Sequence, residues 1–470
     1  MTTQYSHSKT EICAASPGTI NDSTELYGTY VNPQWSNLLS LLQVNVQYTH
    51  CTGAELFCLD GRRILDFLSG YCVHNAGHNH PQIIAALKEE LDQNGPVMLQ
   101  CTASDLAGEL AERLCNRAGG RINKVHFTSS GSEGIEAAVK FARAHTRRDG
   151  LLFVQGAFHG LTCGALSLMG NSFWRKGFGA LLPEGKQVPY GSLKELDLEL
   201  SSKRYAAFFV EPIQGEGGVR IHDREYLHAA QTLCHRHGSL FVLDEVQSGM
   251  YRTGPFLTAH HYGLDPDMVI LAKALSGGLI PVGAVLMSDA VYQSTYSSLQ
   301  RALIHASTYG ESSLAMRAGL ATLDVLEQAH LGERATVVGQ DLLGQLQELL
   351  SEYEMVKEIR GLGLLCGIEF KPPHRLKLRI PFEAFLRIHP AMFGQMLVMR
   401  LFRDAGILTQ ICGNNFMVLK VAPPLIITDE QINEFASKVK QVLESVHSSG
   451  AFWSEALYRR ELTRLFRRDS

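Results

Sequence analysis

The chain has 470 residues, of which 45% are hydrophobic and 19% are charged, a balance that favours a folded core over disorder. Lys and Arg number 43 against 47 Asp and Glu, which gives a net charge of −4. A near-neutral chain lacks the positive field with which proteins attract nucleic acid. We therefore expect a folded protein that does not bind nucleic acid.

The sequence carries no signal for a membrane span or a metal site. No apolar run approaches the ~18 residues of a spanning helix, and residues 1–21 lack the basic and apolar regions of a signal peptide. The ten cysteines are scattered, with no C-x-x-C pair. This pattern predicts a cytoplasmic protein with reduced cysteines and no bound metal.

Helical and strand-like patterns alternate through the middle of the chain. After a weakly patterned arm at 1–45, residues 54–67 predict two short strands around a turn at Asp60-Gly61. Clear helical stretches follow at 133–148 and 224–238. The strand-like runs are LLFVQ (151–155), AAFFVEP (206–212), LFVLDE (240–245) and MVILAK (268–273). The alternation predicts an α/β fold with a mainly parallel sheet, which binds ligands at the carboxyl ends of its strands.

A second, smaller domain is predicted after this region. Residues 325–350 have the pattern of one long amphipathic helix, followed by a strand at 364–370 and a final helix at about 429–446. The predicted division is an N-terminal arm with small-domain strands (1–75), a large α/β domain (76–325), a small α+β domain (326–449) and a basic amphipathic tail (450–470).

Two strand ends carry side chains that can take part in catalysis. Asp244 ends the run LFVLD, where a carboxylate is poorly solvated unless it is paired. Lys273 follows the run MVILA and precedes Ser276-Gly277-Gly278. A lysine at such a position is a candidate for a lowered pKa and Schiff-base chemistry. A helix cap and a snorkelling side chain are the structural alternatives for the two groups.

Two further segments suggest a ligand. Ser130, Gly131 and Ser132 precede a helix whose first turn offers free N–H groups to a phosphate. Phe158 and His159 follow the run LLFVQ and place a flat ring near the same edge. A phosphate cradle, an aromatic face, a buried carboxylate and a strand-end lysine together indicate pyridoxal 5′-phosphate (PLP).

The sequence resembles the class-III, fold-type-I aminotransferases, the group of ornithine, acetylornithine, 4-aminobutyrate and putrescine aminotransferases. The resemblance spans about residues 45–445. The matching blocks are GHNHP (77–81), SGSEGIEAAVKFAR (130–143), FHG (158–160), VEPIQGEGGV (210–219), LDEVQSGMYRTG (243–254), ILAKALSGGLIPVGAVL (270–286), STYG (307–310) and RGLGLLCGIEF (360–370).

The resemblance implies roles for these residues. Lys273 is expected to be the Schiff-base lysine and proton shuttle, and Asp244 to pair with the pyridine nitrogen. The other expected cofactor contacts are Ser130, Gly131 and Ser132 at the phosphate, Phe158, His159 and Val246 at the ring, Gln247 near the ring hydroxyl, Glu211 near the ring, and Thr308 at the neighbouring subunit's phosphate. The active unit is then a homodimer.

Three positions bear on the substrate. Tyr71 matches a tyrosine that receives the α-amino end of ornithine in ornithine aminotransferases, although it can also be a packed interface aromatic. Glu216 matches the family's gate glutamate, whose arginine partner binds the carboxylate of 2-oxoglutarate. In this chain that arginine position is Lys420, in VLKVAPPL. Lysine offers a point charge where arginine offers a bidentate fork, so the usual keto-acid acceptor is in doubt.

Two segments suggest a further surface. Residues 371–402 are more basic and apolar than the family's usual loop, and residues 450–470 combine apolar side chains with arginines. Such a tail either packs on the protein or lies on an anionic membrane. If the packing interpretation fails, a lipid-like aldehyde is a candidate substrate, as in the ornithine-aminotransferase-like enzymes of hopanoid biosynthesis, which the stretch LSGYCVHN also resembles.

The predicted function is a ping-pong, PLP-dependent amino transfer from an ω-amino donor of the ornithine type to a keto acid or aldehyde. The alternative within the class is amination of a lipid-linked, hopanoid-type aldehyde. A PLP aminomutase or racemase on the same fold is the alternative from another class, because it needs the same lysine.

Overall fold

The computed structural model describes residues 20–98, 101–448 and 450–458. The chain forms two compact units that divide after Gln47. The first unit holds helices α1 (Ile20–Tyr30) and α2 (Pro33–Leu41), so the region predicted as a weakly patterned arm contains two helices. Asn32 caps α2, since its Oδ1 accepts the N–H of Trp35 at 3.0 Å.

All strands among the described residues lie in the second unit. They are, in chain order, β1 (Tyr48–Thr52), β2 (Glu55–Cys58), β3 (Arg63–Asp66), β4 (Ile122–Thr128), β5 (Gly150–Val154), β6 (Gly185–Val188), β7 (Tyr205–Val210), β8 (Ile213–Gln214), β9 (Arg220–Ile221), β10 (Leu240–Asp244), β11 (Met268–Leu271), β12 (Gly283–Ser288), β13 (Val356–Leu362), β14 (Leu365–Phe370), β15 (Ile407–Leu408), β16 (Gln410–Cys412) and β17 (Asn415–Val421).

The second unit also holds the remaining helices. They are α3 (Ser69–Cys72), α4 (Pro81–Asp92), α5 (Asp105–Ala118), α6 (Gly131–Thr146), α7 (Cys163–Ser167), α8 (Leu193–Ser201), α9 (Arg224–His237), α10 (Ala259–Tyr262), α11 (Asp289–Thr295), α12 (Ser313–Gln328), α13 (Leu331–Leu350), α14 (Leu376–Ile388), α15 (Met392–Ala405), α16 (Asp429–Ser448) and α17 (Gly450–Tyr458).

The largest sheet has seven strands in the order β4-β12-β11-β10-β7-β5-β6. Strands β6, β5, β7, β10 and β11 run parallel, and β12 is antiparallel to both of its neighbours. Helix α6 packs on this sheet through Ile135, Ala138, Val139 and Ala142, which are buried and recur at helical spacing. The predicted α/β fold with a mainly parallel sheet is confirmed.

The parallel strands determine where the site lies. The carboxyl ends of β5, β7, β10 and β11 meet at one edge of the sheet, the edge at which such sheets bind ligands. Asp244 at the end of β10 pairs in register with Ile270 of β11. Asp244 and Lys273 therefore follow from two adjacent strands whose relative position is set by backbone hydrogen bonds.

Two smaller sheets accompany the large one, in the orders β1-β2-β3-β15 and β13-β14-β17-β16. Strands β2 and β3 are the two predicted around the turn at Asp60-Gly61. The short pair β8-β9 flanks the loop that carries Glu216, and β17 carries Lys420. The division at 76–325 and 326–449 into two domains stays a prediction.

The sequence interpretation of one segment was wrong. The helix predicted at 325–350 is two helices, because α12 ends at Gln328 and His330 has a left-handed φ of 48° before α13 begins. The segment 371–402, for which no element was predicted, forms α14 and most of α15. Pro381 inside α14 weakens its helical signal.

The start of the tail packs on the protein. In α17, Phe452 and Trp453 are buried, and the Trp453 ring lies 5.1 Å from that of Phe385 and 6.2 Å from that of Phe393. These aromatic side chains therefore belong to the core. Residues 459–470, including Leu462, Leu465, Phe466 and the tail arginines, lie outside the described residues. Within the described ranges, no helix has the length and apolar character needed to cross a membrane.

Candidate active site

The carboxyl edge of the large sheet opens into a cavity of about 430 Å³. Most of the predicted site residues line it, and the exceptions are Tyr71, Thr308 and Lys420. The predicted residues in the lining are Ser130, Gly131, Ser132, Phe158, His159, Glu211, Glu216, Asp244, Val246, Gln247 and Lys273.

The first turn of α6 forms one end of the cavity. Ser130 Oγ accepts the N–H of Glu133 at 3.2 Å, and Glu133 Oε2 accepts the N–H of Ser129 at 2.7 Å, which is a reciprocal capping box. The N–H groups of Gly131 and Ser132 belong to the first turn and have no intrahelical acceptor. A Cβ on Gly131 would lie 3.0 Å from the Val246 side chain, so the tight approach favours glycine.

Asp244 and His159 form a buried pair. His159 Nδ1 lies 2.7 Å from Asp244 Oδ2, and Asp244 Oδ1 accepts the N–H of Val246 at 3.0 Å. Burial alone would lower the pKa of His159, but the hydrogen bond and the charge of Asp244 outweigh burial and raise it. The other ring nitrogen, Nε2, is buried without a hydrogen-bond partner.

Lys273 lies just beyond β11 and lines the cavity. Its φ of 47° is left-handed, a conformation that tends to persist at functional sites. Burial lowers the pKa of the Lys273 ammonium. A lysine with a lowered pKa is more readily deprotonated and can act as a nucleophile or base.

Phe158 and Glu211 complete the wall next to His159. The Phe158 N–H donates to Glu211 Oε1 at 2.9 Å, and the Phe158 ring meets Trp174 edge to face at 5.7 Å. Burial raises the pKa of Glu211 to about 7, while the charge of His159 opposes the shift. Glu211 thus holds the loop that carries the two rings.

Glu216 and Lys420 form a second buried pair at the cavity wall. Lys420 has no exposed surface and is ion-paired with Glu216 Oε1, and its Nζ lies 5.1 Å from the Tyr71 ring centroid. Glu216 Oε2 accepts the N–H of Gly413 at 2.8 Å, and Gln247 Nε2 donates to Glu216 and to the Tyr71 carbonyl at 3.4 Å each. Tyr71 and Lys420 therefore adjoin the cavity through Glu216 and Gln247.

The charges in this pair support each other. Burial favours the neutral form of both groups, but the mutual attraction is larger. It lowers the pKa of Glu216 and raises that of Lys420. The pair is therefore ionised, and its net charge is zero.

Tyr71 sits on a left-handed turn. All four residues of α3, Ser69–Cys72, have positive φ values, from 45° to 69°, a conformation that is costly for L-residues and not for the achiral Gly70. Asp66 Oδ1 accepts the N–H groups of Leu68 at 2.9 Å and Ser69 at 2.7 Å. These hydrogen bonds stabilise the conformation of the turn and therefore fix the position from which the Tyr71 side chain extends.

Thr308 lies elsewhere within this chain. It lines a separate cavity of about 270 Å³ together with Met98, His305 and Glu311. The structure does not bring Thr308 into the lining of the Lys273 cavity, and its predicted place at a neighbouring subunit's phosphate stays a prediction.

Several site residues were not found from the sequence. The remaining cavity lining includes Val73, Ser129, Gly160, Ile213, Ala272, Ser276, Gly278, Leu279, Ile280, Pro281 and Val282. Residues 276–282 closely follow Lys273 in the block ILAKALSGGLIPVGAVL. Their closeness in sequence to Lys273 was the signal that could have identified them. Trp174, Gly413 and Asn414 carry no such signal, because they reach the site only through the tertiary fold.

The residues present fit PLP. The α6 first turn offers unpaired N–H groups to a phosphate. The buried Asp244 can face a ring nitrogen, and Phe158 and Val246 offer apolar surfaces for a ring. Lys273 lies in the same cavity with a lowered pKa.

Comparisons with known proteins agree with this geometry. Residues 40–443 match the family model described as aminotransferase class-III. The aminotransferase PigE of Serratia sp. is 33% identical over 457 residues, which is 90% of this chain but 54% of PigE. This chain thus spans about half the length of that relative. The putrescine aminotransferase of Pectobacterium atrosepticum is 36% identical over 398 residues, or 83% of this chain and 80% of the relative.

Solved structures give the same result. The ornithine aminotransferase of Toxoplasma gondii is 28% identical, covers 91% of this chain and 95% of its own, and superposes with a TM-score of 0.80. The chain belongs to the class-III aminotransferases, which are PLP-dependent transaminases of fold type I.

Proposed function

We propose that this chain moves an amino group between an ω-amino donor of the ornithine and putrescine type and a keto acid or aldehyde, in two half-reactions. The observation that carries the proposal is the convergence of Lys273, the Asp244–His159 pair and the α6 first turn on one cavity. Two of the three named relatives, an ornithine and a putrescine aminotransferase, support the donor class.

PLP, when bound, supplies an electron sink for the carbon that carries the amine. In our proposal Ser130, Gly131 and Ser132 hold its phosphate. Asp244 would face the ring nitrogen, and His159 orients its carboxylate through a 2.7 Å bond. Phe158 and Val246 cover the two ring faces, and Gln247 approaches the ring hydroxyl.

Lys273 is the proposed acid and base. It would hold the cofactor through its Nζ between turnovers and would be released when the donor amine took its place. Its Nζ would then accept the proton from the amine-bearing carbon of the donor and deliver it to the cofactor carbon that had been joined to Lys273. A pKa lowered by burial suits this role, because a larger share of the amine is unprotonated near neutral pH.

Lys420 bears on the choice of substrate. It is fully buried and committed to Glu216, and a lysine cannot bind a carboxylate in the bidentate manner of arginine. A donor such as putrescine carries no carboxylate, and ornithine carries one at its far end. We propose that Tyr71 and the Glu216–Lys420 pair receive the far end of the donor.

A lipid-linked aldehyde is the second candidate acceptor. The observation in its favour is the apolar cavity wall formed by Val73, Ile213, Leu279 and Ile280. A long aliphatic chain gains free energy by lying on such a wall. An aminomutase or racemase would use the same lysine, but it would consume no second substrate.

We also propose a homodimer in which Thr308 completes the neighbouring site. Its segment carries exposed apolar side chains, with Leu299 92% exposed and Leu303 83% exposed, and an apolar surface of this kind is typical of an interface. Mixing a Lys273→Ala chain with a Thr308→Asp chain should then restore activity that neither has alone. Membrane contact through 371–402 and 450–470, and a cytoplasmic location, stay predictions.

The experiment that tests the function is a half-reaction screen. Purified, PLP-loaded protein is mixed with L-ornithine, putrescine, 4-aminobutyrate, N-acetylornithine, L-glutamate or a long-chain primary amine, and the absorbance of the lysine-linked cofactor is followed. Bleaching by ornithine or putrescine supports the proposed donor. Bleaching only by the long-chain amine favours the lipid-linked substrate, and release of a rearranged amine without an acceptor favours a mutase.

A further inference from the structure

The turn between β16 and β17 reaches from the β13-β14-β17-β16 sheet to the active site. Cys412 and Asn415 pair across this hairpin, and Gly413 and Asn414 form its tip. Both tip residues donate their N–H groups to Glu216, Gly413 to Oε2 at 2.8 Å and Asn414 to the carbonyl at 2.9 Å. The tip therefore holds the glutamate of the Glu216–Lys420 pair by its side chain and by its backbone.

The Asn414 side chain joins two further segments. Its Nδ2 donates to the carbonyls of Gly156 at 3.1 Å and Ala157 at 3.0 Å, and its Oδ1 accepts the indole N–H of Trp174 at 2.8 Å. Donor and acceptor ends of the amide are both used, so the orientation of the amide is fixed. A flipped amide would place oxygen against two carbonyl oxygens.

The segments held by Asn414 carry the rings of the site. Gly156 and Ala157 immediately precede Phe158 and His159, which line the cavity. Trp174 meets the Phe158 ring edge to face. A single residue, Asn414, therefore connects the loop that positions the rings, through its side-chain amide, with the carbonyl of Glu216, through its backbone N–H.

We infer that Asn414 is a positioning residue for transamination. It fixes the Phe158–His159 loop relative to the Glu216–Lys420 pair, so that cofactor ring and substrate end keep one geometry in both half-reactions. The inference rests on the proposed function, because it assumes that the ring and the substrate occupy these two sides of the cavity. Small displacements of such groups reduce turnover strongly.

The test compares Asn414→Asp and Trp174→Phe with the wild type. Asn414→Asp keeps the shape but turns an oxygen toward the Gly156 and Ala157 carbonyls, and Trp174→Phe removes the indole N–H donor together with one ring of the side chain that meets Phe158. The matched control is Asn94→Asp, since the Asn94 amide is exposed and also donates to a backbone carbonyl, that of Asp92, at 3.0 Å. The readouts are kcat and KM for the amine half-reaction and the pH titration of the cofactor absorbance.

We expect Asn414→Asp to lower kcat/KM roughly 10- to 100-fold, with the cofactor still bound and its titration shifted. Trp174→Phe should give a smaller loss, and the double variant should lose no more than Asn414→Asp, because both act through one connection. The inference would be overturned if Asn414→Asp only lowered the melting temperature. In that case kcat/KM and the midpoint of the cofactor titration would both stay within about twofold of wild type. If Asn414→Asp does not fold, unchanged kinetics and titration in Trp174→Phe overturn it.

The wild type separates this outcome from the failure of the proposed function. If wild type and Asn94→Asp bleach with an amine and Asn414→Asp bleaches equally fast, only the positioning role is wrong. If none of the tested amines bleaches the wild-type cofactor absorbance, the proposed function is wrong. The pH titration of the cofactor absorbance in the variants then decides whether Asn414 positions the rings.

Discussion

His159 Nδ1 donates to Asp244 Oδ2 across 2.7 Å, and both side chains are buried. This bond keeps a carboxylate oriented at the edge of the sheet, where the proposed role needs a negative charge. Because the bond and charge of Asp244 are what raise the pKa of His159, changing either residue alters the other.

Asp244→Asn should remove the charge and preserve the shape. We expect kcat to fall by roughly 10²- to 10⁴-fold, the range of losses when a group that stabilises proton transfer is removed. Steady-state kinetics with the best donor from the half-reaction screen measures the effect, and Asp92→Asn on the surface is the control. An Asp244→Asn enzyme within about tenfold of wild type would contradict the proposed role.

Lys273→Ala should abolish the covalent link to the cofactor. The visible absorbance of the lysine-linked form should disappear, and turnover should fall by at least about 10³-fold, since the nucleophile and the proton carrier are lost together. The measurement is an absorbance spectrum before and after addition of PLP, with the exposed Lys203→Ala as control. A spectrum that matches wild type would rule out Lys273 as the attachment point.

Lys420→Met should destabilise the fold through Glu216. The carboxylate stays buried without its partner, and removal of one member of a buried pair costs about 3–5 kcal/mol. The double variant Glu216→Gln/Lys420→Met should recover part of that free energy of unfolding. Arg379→Met is the control, because the Arg379–Glu383 pair is exposed and should be worth under about 1 kcal/mol.

The contrary result for this pair is an equal loss in the single and the double variant. It would mean that Lys420 stabilises the fold by filling space rather than by charge. Denaturant unfolding of the PLP-loaded proteins gives the comparison.

Glu245 should make stability depend on pH. Burial raises its pKa to about 7, against the hydrogen bonds that it accepts from the N–H groups of Thr258 and Ala259. The folded state therefore retains a proton on Glu245 that the unfolded state loses above about pH 4.5. The contribution of Glu245 to the free energy of unfolding is therefore fully present below that pH and is lost as pH rises through about 7. The shift corresponds to about 3 kcal/mol.

Glu245→Gln removes this titration. Its unfolding free energy should change less between about pH 5 and pH 7.5 than that of wild type, as urea unfolding at several pH values would show. Parallel pH curves for the two proteins would show that Glu245 does not carry a raised pKa.

Trp453→Ala should lower the free energy of unfolding by about 3–5 kcal/mol, as for other buried aromatic residues. Its ring packs on Phe385 and Phe393, and its Nε1 donates to the Val446 carbonyl at 3.0 Å. The exposed Trp35→Ala is the control. If Trp453→Ala leaves stability unchanged but weakens binding to anionic vesicles, the membrane interpretation of the tail would replace the packing one.

The groups at strand ends were predictable because local sequence determines them. Apolar runs identify buried strands, and parallel strands end at one edge, so Asp244 and Lys273 were expected to meet. The family resemblance added Glu216 and Lys420, which are far apart in sequence. The physical pattern alone contains no information about that pair.

Other features depend on tertiary contacts that no local pattern records. The sequence near His330 marks the helix end only weakly, since Gly332 lies just inside α13 and Gly339 and Gly344 occur within the same helix without ending it. Likewise Asn414 looks like an ordinary turn residue. Its importance follows only from the arrival of Trp174 and the Gly156–Ala157 carbonyls at the same point.

The backbone strain of the turn at Ser69–Cys72 depends on the chirality of its residues. Its φ values are those of a mirror-image helix, which D-amino acids adopt without strain and L-residues adopt at about 1–2 kcal/mol each. Among genetically encoded residues only glycine escapes this penalty, and a glycine in place of Tyr71 would remove the ring beside Lys420. In our proposal Tyr71 also contacts the substrate, so backbone relaxation and the proposed recognition make opposite demands on position 71.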